Sequence, residues 1–299
     1  SFEAKPLTIT FDKAVLQTSV SLERRLKEYL ACRCGFNEIF TYPWVEEKYF
    51  DASGISKENA IKLATPPSPE EAYLRSSLVP GMLESISKNL RYFDTFKLYE
   101  MAQVFEKGIY HESSEDETLP IHKKRLTGCI VGKDPKEIFY ELKGVVEHIC
   151  EYTHMENINF KEGTKPSWAD INAHLDITLN DEIIGNIGLL SVKAMNDSKI
   201  KRTNVAIFEL NMEELIPFAS RDNKFVHIPL LPLVEKDLSI LVDESVTWEE
   251  ISDNRFRDIF TFLERKEYNR PIREDKNSGC RMQSQRSFGS DISKIWKRK

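Results

Sequence analysis

The sequence predicts an α+β domain in which a largely antiparallel sheet is flanked by helices. Three segments carry apolar residues at the spacing of amphipathic helices. Several strand-like segments follow one another with short turns between them. Strands and helices do not alternate one by one, as they would in a doubly wound parallel sheet.

The first predicted unit is a helix, a glycine and a strand. The helix begins near Ser19, and Gly35 suits the position just after its C-terminus. Its apolar positions are Leu22, Leu26, Tyr29 and Leu30. Residues 36–45, FNEIFTYPWV, are rich in aromatic and β-branched residues and are predicted to form a strand. A shorter strand-like segment, LTITF, precedes the helix.

The second helix follows a proline-rich loop within residues 65–93. The prolines fix backbone angles and exclude helix from the loop. Ser76 and Ser77 are then placed to cap the helix, and Pro80 suits its first turn. The apolar positions of this helix are Leu78, Met82, Ile86, Leu90 and Phe93.

The remaining elements complete the sheet. Strands are predicted at residues 96–108, 125–133, 173–180, 182–191 and 205–212, with an acidic loop at 111–120. A third helix is predicted at 135–154, because five apolar residues share one face: Ile138, Leu142, Val145, Val146 and Ile149.

The chain is predicted to divide into a lead-in segment (1–14), a main domain (15–222) and a C-terminal part (223–299). Proline recurs and the pattern restarts near the second boundary. After Ile251 the apolar periodicity weakens. From Arg265 to Lys299 there are eleven basic and four acidic residues, within a chain of net charge −6. Such a tail could contact phosphates, but it is also typical of a solvated, disordered end.

The composition is that of an ordinary globular protein, with 40% apolar and 30% charged residues. No apolar run approaches the roughly 20 residues that span a bilayer, and the first residues do not resemble a signal peptide. We therefore expect a cytoplasmic protein without a membrane partner. The five cysteines are scattered, which favours reduced thiols, and the histidines show no metal-ligand spacing.

Common catalytic signatures are missing from the sequence. It contains no GxxxxGK[ST] loop, no GxGxxG after a strand, no GxSxG and no HExxH. Arg75, beside the start of the second helix, has two interpretations. It could bind an anion together with the helix N-terminus, or it could pair with Glu70 or Glu71 and fasten the proline loop.

Four segments of the sequence are LRSSLVPGMLE, KLYEMAQVF, FYELKG and IGNIGLLSV. In this order they resemble segments of the beta subunit of phenylalanyl-tRNA synthetase. LRSSLVPGMLE is similar to the family's Leu-Arg-Thr-Ser-Leu-Leu-Pro-Gly-Leu-Leu-Glu, and KLYEMAQVF to its Phe-Glu-Ile-Gly-x-Val-Phe strand. FYELKG resembles Phe-x-Asp-x-Lys-Gly, and IGNIGLLSV resembles Ile-Gly-x-Ile-Gly-x-Leu-His-Pro. The chain departs from these patterns at Ser76, Ala102, Glu141, Ser191 and Val192, and before the first motif Thr65 stands where the family has the asparagine of an Asn-Pro loop.

The resemblance implies a class II synthetase-like domain that is not itself catalytic. It implies that the partner is the alpha subunit, within a heterotetramer, and that ATP and magnesium bind to the alpha subunit and not to this chain. The class II motifs Phe-Arg-x-Glu and Gly-x-Gly-x-x-Arg, whose arginines hold ATP in active members, are absent here. It also implies that residues 223–299 correspond to a truncated or degenerate ferredoxin-like anticodon-binding domain, with tRNA as a further candidate partner.

The resemblance assigns two groups of candidate residues. The first helix is expected at the alpha-subunit interface, through Arg24, Arg25, Leu26 and Tyr29. A structural joint is expected at Arg75, Ser76 and Pro80.

Three functions stay open from the sequence. The first is a non-catalytic subunit or fragment of phenylalanine–tRNA ligase. The second is a degenerate paralogue that acts as an interaction protein without a role in aminoacylation. The third, an ATP-dependent amino-acid enzyme that acts alone, is disfavoured by the missing ATP arginines.

Overall fold

The computed structural model describes residues 17–218 except 59, 110–119, 154, 156 and 157, together with residue 225. The chain divides into two compact units, Ser1–Phe225 and Val226–Lys299, and all of the described residues belong to the first. The predicted segment LTITF, the acidic loop and the C-terminal part after residue 225 lie outside the described residues.

A seven-stranded sheet forms the centre of the first unit, in the order β1-β4-β5-β9-β8-β7-β6. The strands are β1 (Asn37–Glu38), β4 (Phe96–Ile109), β5 (Pro120–Gly132), β6 (Ile158–Lys161), β7 (Ala169–Leu179), β8 (Glu182–Leu190) and β9 (Asn204–Asn211). Only the β1–β4 pair is parallel, and every other pair is antiparallel. A second, two-stranded sheet joins β2 (Trp44–Val45) to β3 (Tyr73–Leu74). The predicted α+β class and the largely antiparallel sheet are confirmed.

Helices cover both faces of the large sheet. They are α1 (Thr18–Glu28), α2 (Glu47–Ser53), α3 (Val79–Asn89), α4 (Pro135–Thr153), α5 (Val192–Asp197) and α6 (Met212–Leu215). Apolar residues of α1 and α4 pack on one face, and those of α2, α3 and α5 pack on the other. The central strand β9 is therefore buried on both sides, which explains its continuous apolar run VAIF.

The first predicted helix is correct in position. Helix α1 continues as a π-helical turn over Tyr29–Arg33, and Gly35 follows with φ of +71°. The predicted strand at 36–45 is not continuous. It forms only the short β1 and β2, because β1 joins the large sheet and β2 joins the small one.

Two predictions about α3 are wrong. Ser76 does not cap the helix, since its Oγ is buried without a hydrogen-bond partner among the described residues. The helix ends at Asn89, so Phe93 lies beyond it and is 58% exposed. Pro80 does lie in the first turn, as predicted. The third predicted helix is confirmed as α4, and all five residues of its predicted apolar face are buried.

Two short strands, β3 and β6, were not predicted. They have two and four residues, too few for a clear alternation of apolar and polar side chains. The predicted turn between β7 and β8 is correct. Asn180 and Asp181 both have positive φ, as a two-residue type I′ hairpin loop requires.

We predict opposite effects for alanine at two glycines. At Gly128 on β5, a Cβ would lie 2.6 Å from Cε1 of Phe208, the residue directly across on β9. Gly128→Ala should therefore lower the free energy of unfolding by about 1–3 kcal/mol. Gly144, inside α4, has nothing within 4 Å of a Cβ, so Gly144→Ala should raise it by about 0.5–1 kcal/mol. Urea denaturation followed by circular dichroism measures both, and equal effects would contradict the packing of Phe208 over Gly128.

Candidate functional site

A buried ion pair fixes the segment that leads into α3. Nη1 of Arg75 lies 2.9 Å from Oε1 of Glu100 on β4, and both side chains are almost fully buried. Nε of Arg75 donates to the backbone oxygen of Gln103 at 2.8 Å, and Nη1 donates to Oγ1 of Thr41 at 2.8 Å. The hydroxyl of Thr41 in turn donates to the Glu100 carboxylate at 2.8 Å. Arg75 therefore connects three segments of the chain.

This arrangement changes the expected partner of Arg75. The carboxylate is Glu100 on the sheet, and not Glu70 or Glu71 in the proline loop. Glu100 is better placed because it lies on a strand against which the segment packs. Arg75 is also not available to a dissolved anion, since its side chain is only 6% exposed.

A second buried carboxylate, Glu209 on β9, holds the start of α3. Its Oε1 accepts hydrogen bonds from the backbone N–H of Leu78 and from Oγ of Ser77, both at 2.8 Å. Its Oε2 lies 3.0 Å from Nη1 of Arg125 on β5. A carboxylate at a helix N-terminus satisfies free N–H groups and interacts favourably with the helix dipole. Glu209 thus caps α3 from another element, together with the predicted Ser77, whose Oγ accepts from the Val79 N–H at 3.1 Å.

These groups form part of a polar row across five strands. Glu100 lies opposite Thr127, Thr127 opposite Glu209, Glu209 opposite Asn186, and Asn186 opposite Asp176. Two of the four neighbouring pairs in the row are bonded: Thr127 Oγ1 donates to Glu209 at 3.3 Å, and Asn186 Nδ2 donates to Asp176 at 2.7 Å. Because side chains alternate along a strand, the row lies on the sheet face that α3 covers.

The chemistry of this row is that of a structural network. The two arginines that bond to this row, Arg75 and Arg125, each lie within 3.0 Å of one of its carboxylates. A cation whose charge is balanced in this way gives little electrostatic attraction to a phosphate. Among the described residues there is also no group of three or more His, Cys, Asp or Glu side chains that could hold a metal ion.

The buried thiols are similarly unreactive. Burial raises the pKa of Cys129 to about 12 and that of Cys150 to about 11, so both remain protonated near neutral pH. Burial also raises the pKa of Tyr99 to about 12, with a further contribution from the nearby Glu38 carboxylate. A protonated, buried thiol is a poor nucleophile and a poor metal ligand.

The first helix does not present all four of its predicted interface residues. Leu26 and Tyr29 are buried in this chain's own core, and the Tyr29 hydroxyl donates to the backbone oxygen of Val145 on α4 at 2.9 Å. Their burial is explained by the packing of α1 against α4. Arg24 is exposed and Arg25 is half-buried, so the predicted interface on this helix is reduced to its charged flank.

Sequence reasoning missed Glu100, Glu209 and Thr41. The two glutamates did leave a signal, because each is a charged residue within an apolar strand, in KLYEMA and in IFELN. A glutamate is rarely buried without a partner. Their partners could not be read from the chain, since Glu209 lies 132 residues from Ser77 and 84 from Arg125.

Comparison with known proteins agrees with this architecture. The family model of the phenylalanyl-tRNA synthetase beta chain CLM domain matches residues 6–212. The chain belongs to this family. Among its relatives, the phenylalanine–tRNA ligase beta subunit of Bacillus subtilis is 30% identical over 235 residues, which cover 75% of this chain and 28% of that protein. That of Listeria monocytogenes is 28% identical over 263 residues, covering 84% and 32%.

The fold of this beta-chain family member is also similar to that of a solved aminoacyl-tRNA synthetase. The crystal structure of pyrrolysyl-tRNA synthetase from Desulfitobacterium hafniense superposes with a TM-score of 0.53 and 14% identity, covering 66% of this chain and 68% of that one. The chain spans about 30% of the length of the curated relatives that it matches. No helix among the described residues is long and apolar enough to cross a membrane.

We predict that the contributions of Arg75 and Glu100 to stability are coupled. Arg75→Met leaves the Glu100 carboxylate buried without its charge partner and should cost about 3–5 kcal/mol of stability. In a Glu100→Gln background the same substitution should cost much less, since no charge is left alone. Urea denaturation of the four proteins of this double-mutant cycle gives the coupling energy. A coupling near zero would show that Arg75 is not a structural joint.

Proposed function

We propose that this chain is the synthetase-like part of a phenylalanine–tRNA ligase beta subunit. In this role it scaffolds an alpha subunit, which carries out the ATP-dependent attachment of phenylalanine to tRNA. ATP and magnesium bind to the alpha subunit. Family membership and the names of the relatives support the proposal.

The non-catalytic role is supported by one observation: the arginines on the sheet face that α3 covers are already paired with carboxylates. A site for ATP needs cations that are free to meet phosphates. Here Arg75 is neutralised by Glu100 and Arg125 by Glu209, and the Leu78 N–H at the start of helix α3 bonds to Glu209. The charged side chains of this face therefore bond to other parts of the same chain.

We propose further that residues 15–222 form the synthetase-like domain and that residues 223–299 derive from a ferredoxin-like anticodon-binding domain. The strand-like LSILVD and the helix start TWEEI in that part support the second assignment. The proposed assembly acts in the cytoplasm as a heterotetramer.

An exposed aromatic surface is the proposed contact with the alpha subunit. It consists of Phe40, Tyr42, Tyr92 and Phe93, each more than half exposed. Phe93 also lines an open groove of about 1100 Å³, together with Ile39 and residues from β4, β5 and α4. Aromatic residues are enriched in protein interfaces, where their burial contributes strongly to affinity. Lys27 of α1 lies 5.7 Å from the Phe40 ring centre, so the charged flank of α1 borders this surface.

We predict that the chain is inactive alone and forms a complex with its alpha subunit. The purified chain should show no phenylalanine-dependent exchange of pyrophosphate into ATP. Co-expression with the alpha subunit should give a stable complex that co-purifies through size exclusion. Exchange by the chain alone, after rigorous removal of host synthetase, would instead support a catalytic protein, and failure to co-purify would support the interaction-protein alternative.

We also predict which surface makes that contact. Phe40→Ala combined with Phe93→Ala should weaken alpha-subunit binding by about tenfold or more, because aromatic anchors contribute most of the binding energy. Reversing Arg24 and Arg25 to Glu should weaken it at low salt through lost charge complementarity. Ile183→Ala is the control, since Ile183 is 62% exposed on β8, far from β1 in the strand order. Equal affinity of all variants in a pull-down, with circular dichroism showing folded proteins, would exclude this surface.

A further inference from the structure

Two loops meet at one end of the large sheet, where β5 ends and β9 begins. One loop joins β5 to α4 (residues 132–135), and the other joins α5 to β9 (residues 198–203). Thr203 Oγ1 donates to the backbone oxygen of Gly132 at 3.0 Å, and Asn204 Nδ2 donates to that of Lys133 at 2.8 Å. These bonds hold the two loops side by side as one surface.

This surface is rich in cations that lack carboxylate partners. It consists of Lys133, Lys136, Lys199, Lys201 and Arg202, and we call it the cationic loop pair. None of the five forms an ion pair with another described residue, whereas Lys97, Lys124 and Lys143 all do. Four carboxylates lie nearby: Asp134, Glu137 and Asp197 in or beside the two loops, and Asp94, which lines the same groove as Lys133. Asp134 already caps α4 by accepting from the Lys136 N–H at 2.8 Å. The local charge is therefore positive in a chain of net charge −6.

The backbone of this surface is unusual. Lys199 and Arg202 have φ of +59° and +61°, in the left-handed region that glycine adopts most easily. Lys199 occupies the position after the C-cap of α5, where Ile200 N bonds to Met195 O at 2.8 Å and Lys199 N bonds to Asn196 O at 3.0 Å. This is the Schellman motif, in which glycine is the usual residue at that position. Two long cationic side chains thus occupy positions where glycine would be more stable, which points to a role outside folding.

We propose that the cationic loop pair binds the phosphodiester backbone of RNA. The identification of that RNA as tRNA rests on the proposed function. Exposed lysine and arginine side chains release counterions when they neutralise phosphates, and this interaction requires no apolar contact. No large apolar side chain is exposed within residues 132–136 or 198–203, all of which the structure describes. Protein interfaces are enriched in aromatic residues at their core, whereas the two loops offer mainly charge, so RNA fits this surface better than an acidic protein does.

The test compares glycine variants in binding to a phenylalanine tRNA transcript, measured by fluorescence anisotropy with the whole chain. The Lys199→Gly/Arg202→Gly protein should bind at least about tenfold more weakly near 0.1 M salt. The slope of log affinity against log salt should become shallower by about 1.4–1.8, because each lost phosphate contact removes about 0.7–0.9. Its thermal midpoint should equal or exceed that of the parent, since glycine relieves the left-handed backbone.

The matched control is Lys62→Ala/Lys107→Ala, which removes the same number of charges from exposed positions. Neither lies on the two loops, and Lys107 follows Glu106, which pairs with Ile121 near the start of β5, the end of that strand opposite Gly132. The control should leave tRNA affinity nearly unchanged, and the basic tail is the same in all three proteins. Equal tRNA binding by the glycine variant and the parent would overturn the proposal. Unchanged tRNA binding with lost binding to polyglutamate would assign the surface to an acidic protein instead.

A second pair, Lys133→Gln/Lys201→Gln, removes charge without changing a left-handed residue. It should weaken tRNA binding in the same direction as the glycine variant. Because the assay uses the chain without an alpha subunit, its outcome is independent of complex formation. If the chain binds tRNA through these loops but does not bind the alpha subunit, only the scaffold role is contradicted. If it binds the alpha subunit but the loop variants bind tRNA as well as the parent does, only the proposed RNA binding by the cationic loop pair is contradicted.

Discussion

Two glutamates buried in the middle of a sheet, Glu100 and Glu209, constrain the rest of this structure. A buried carboxylate without partners costs several kcal/mol, roughly, so each must be matched by donors close at hand. Arg75 and Thr41 provide them for Glu100, while Ser77, the Leu78 N–H and Arg125 provide them for Glu209. All of these donors except Arg125 come from segments that pack on the sheet. The carboxylates therefore determine where the start of α3 and the segment around Thr41 lie.

The pairing of these charged groups also limits which ligands the sheet face could bind. In a synthetase fold, an open sheet face with free cations could receive a nucleotide, because phosphates need unpaired positive charge. In this chain the two arginines on that face pair with the chain's own carboxylates, and one of these, Glu209, caps α3. This arrangement supports the proposed scaffold role. This follows from the site itself, since a fold alone does not determine function.

The proposed interactions with other molecules are at the borders of the sheet. The aromatic surface follows β1, an edge strand of two residues, and extends to the end of α3. The cationic loop pair lies at the end of β5 and the beginning of β9. The two surfaces differ in chemistry, since one offers apolar rings and the other offers unpaired charge. Phe93 of the aromatic surface and Lys133 of the cationic loop pair line the same open groove, so the two surfaces adjoin there.

The sequence by itself determined the elements whose signals are local. The apolar faces of α1 and α4, the long strands β4 and β9, and the Asn180–Asp181 turn follow from periodicity and from backbone preferences within a few residues. The four motifs also identified the family, whose model matches residues 6–212.

Only the tertiary structure decided the partners of buried groups. Arg75 was visible as a special residue, but its pairing with Glu100 depends on the packing of a loop against a strand 25 residues away. Leu26 and Tyr29 were visible as an apolar stripe, but only the position of α4 shows that this stripe faces inward. Periodicity within a segment predicts that a side chain is buried. It does not predict which element covers that side chain, because this depends on contacts between segments that are distant in the chain.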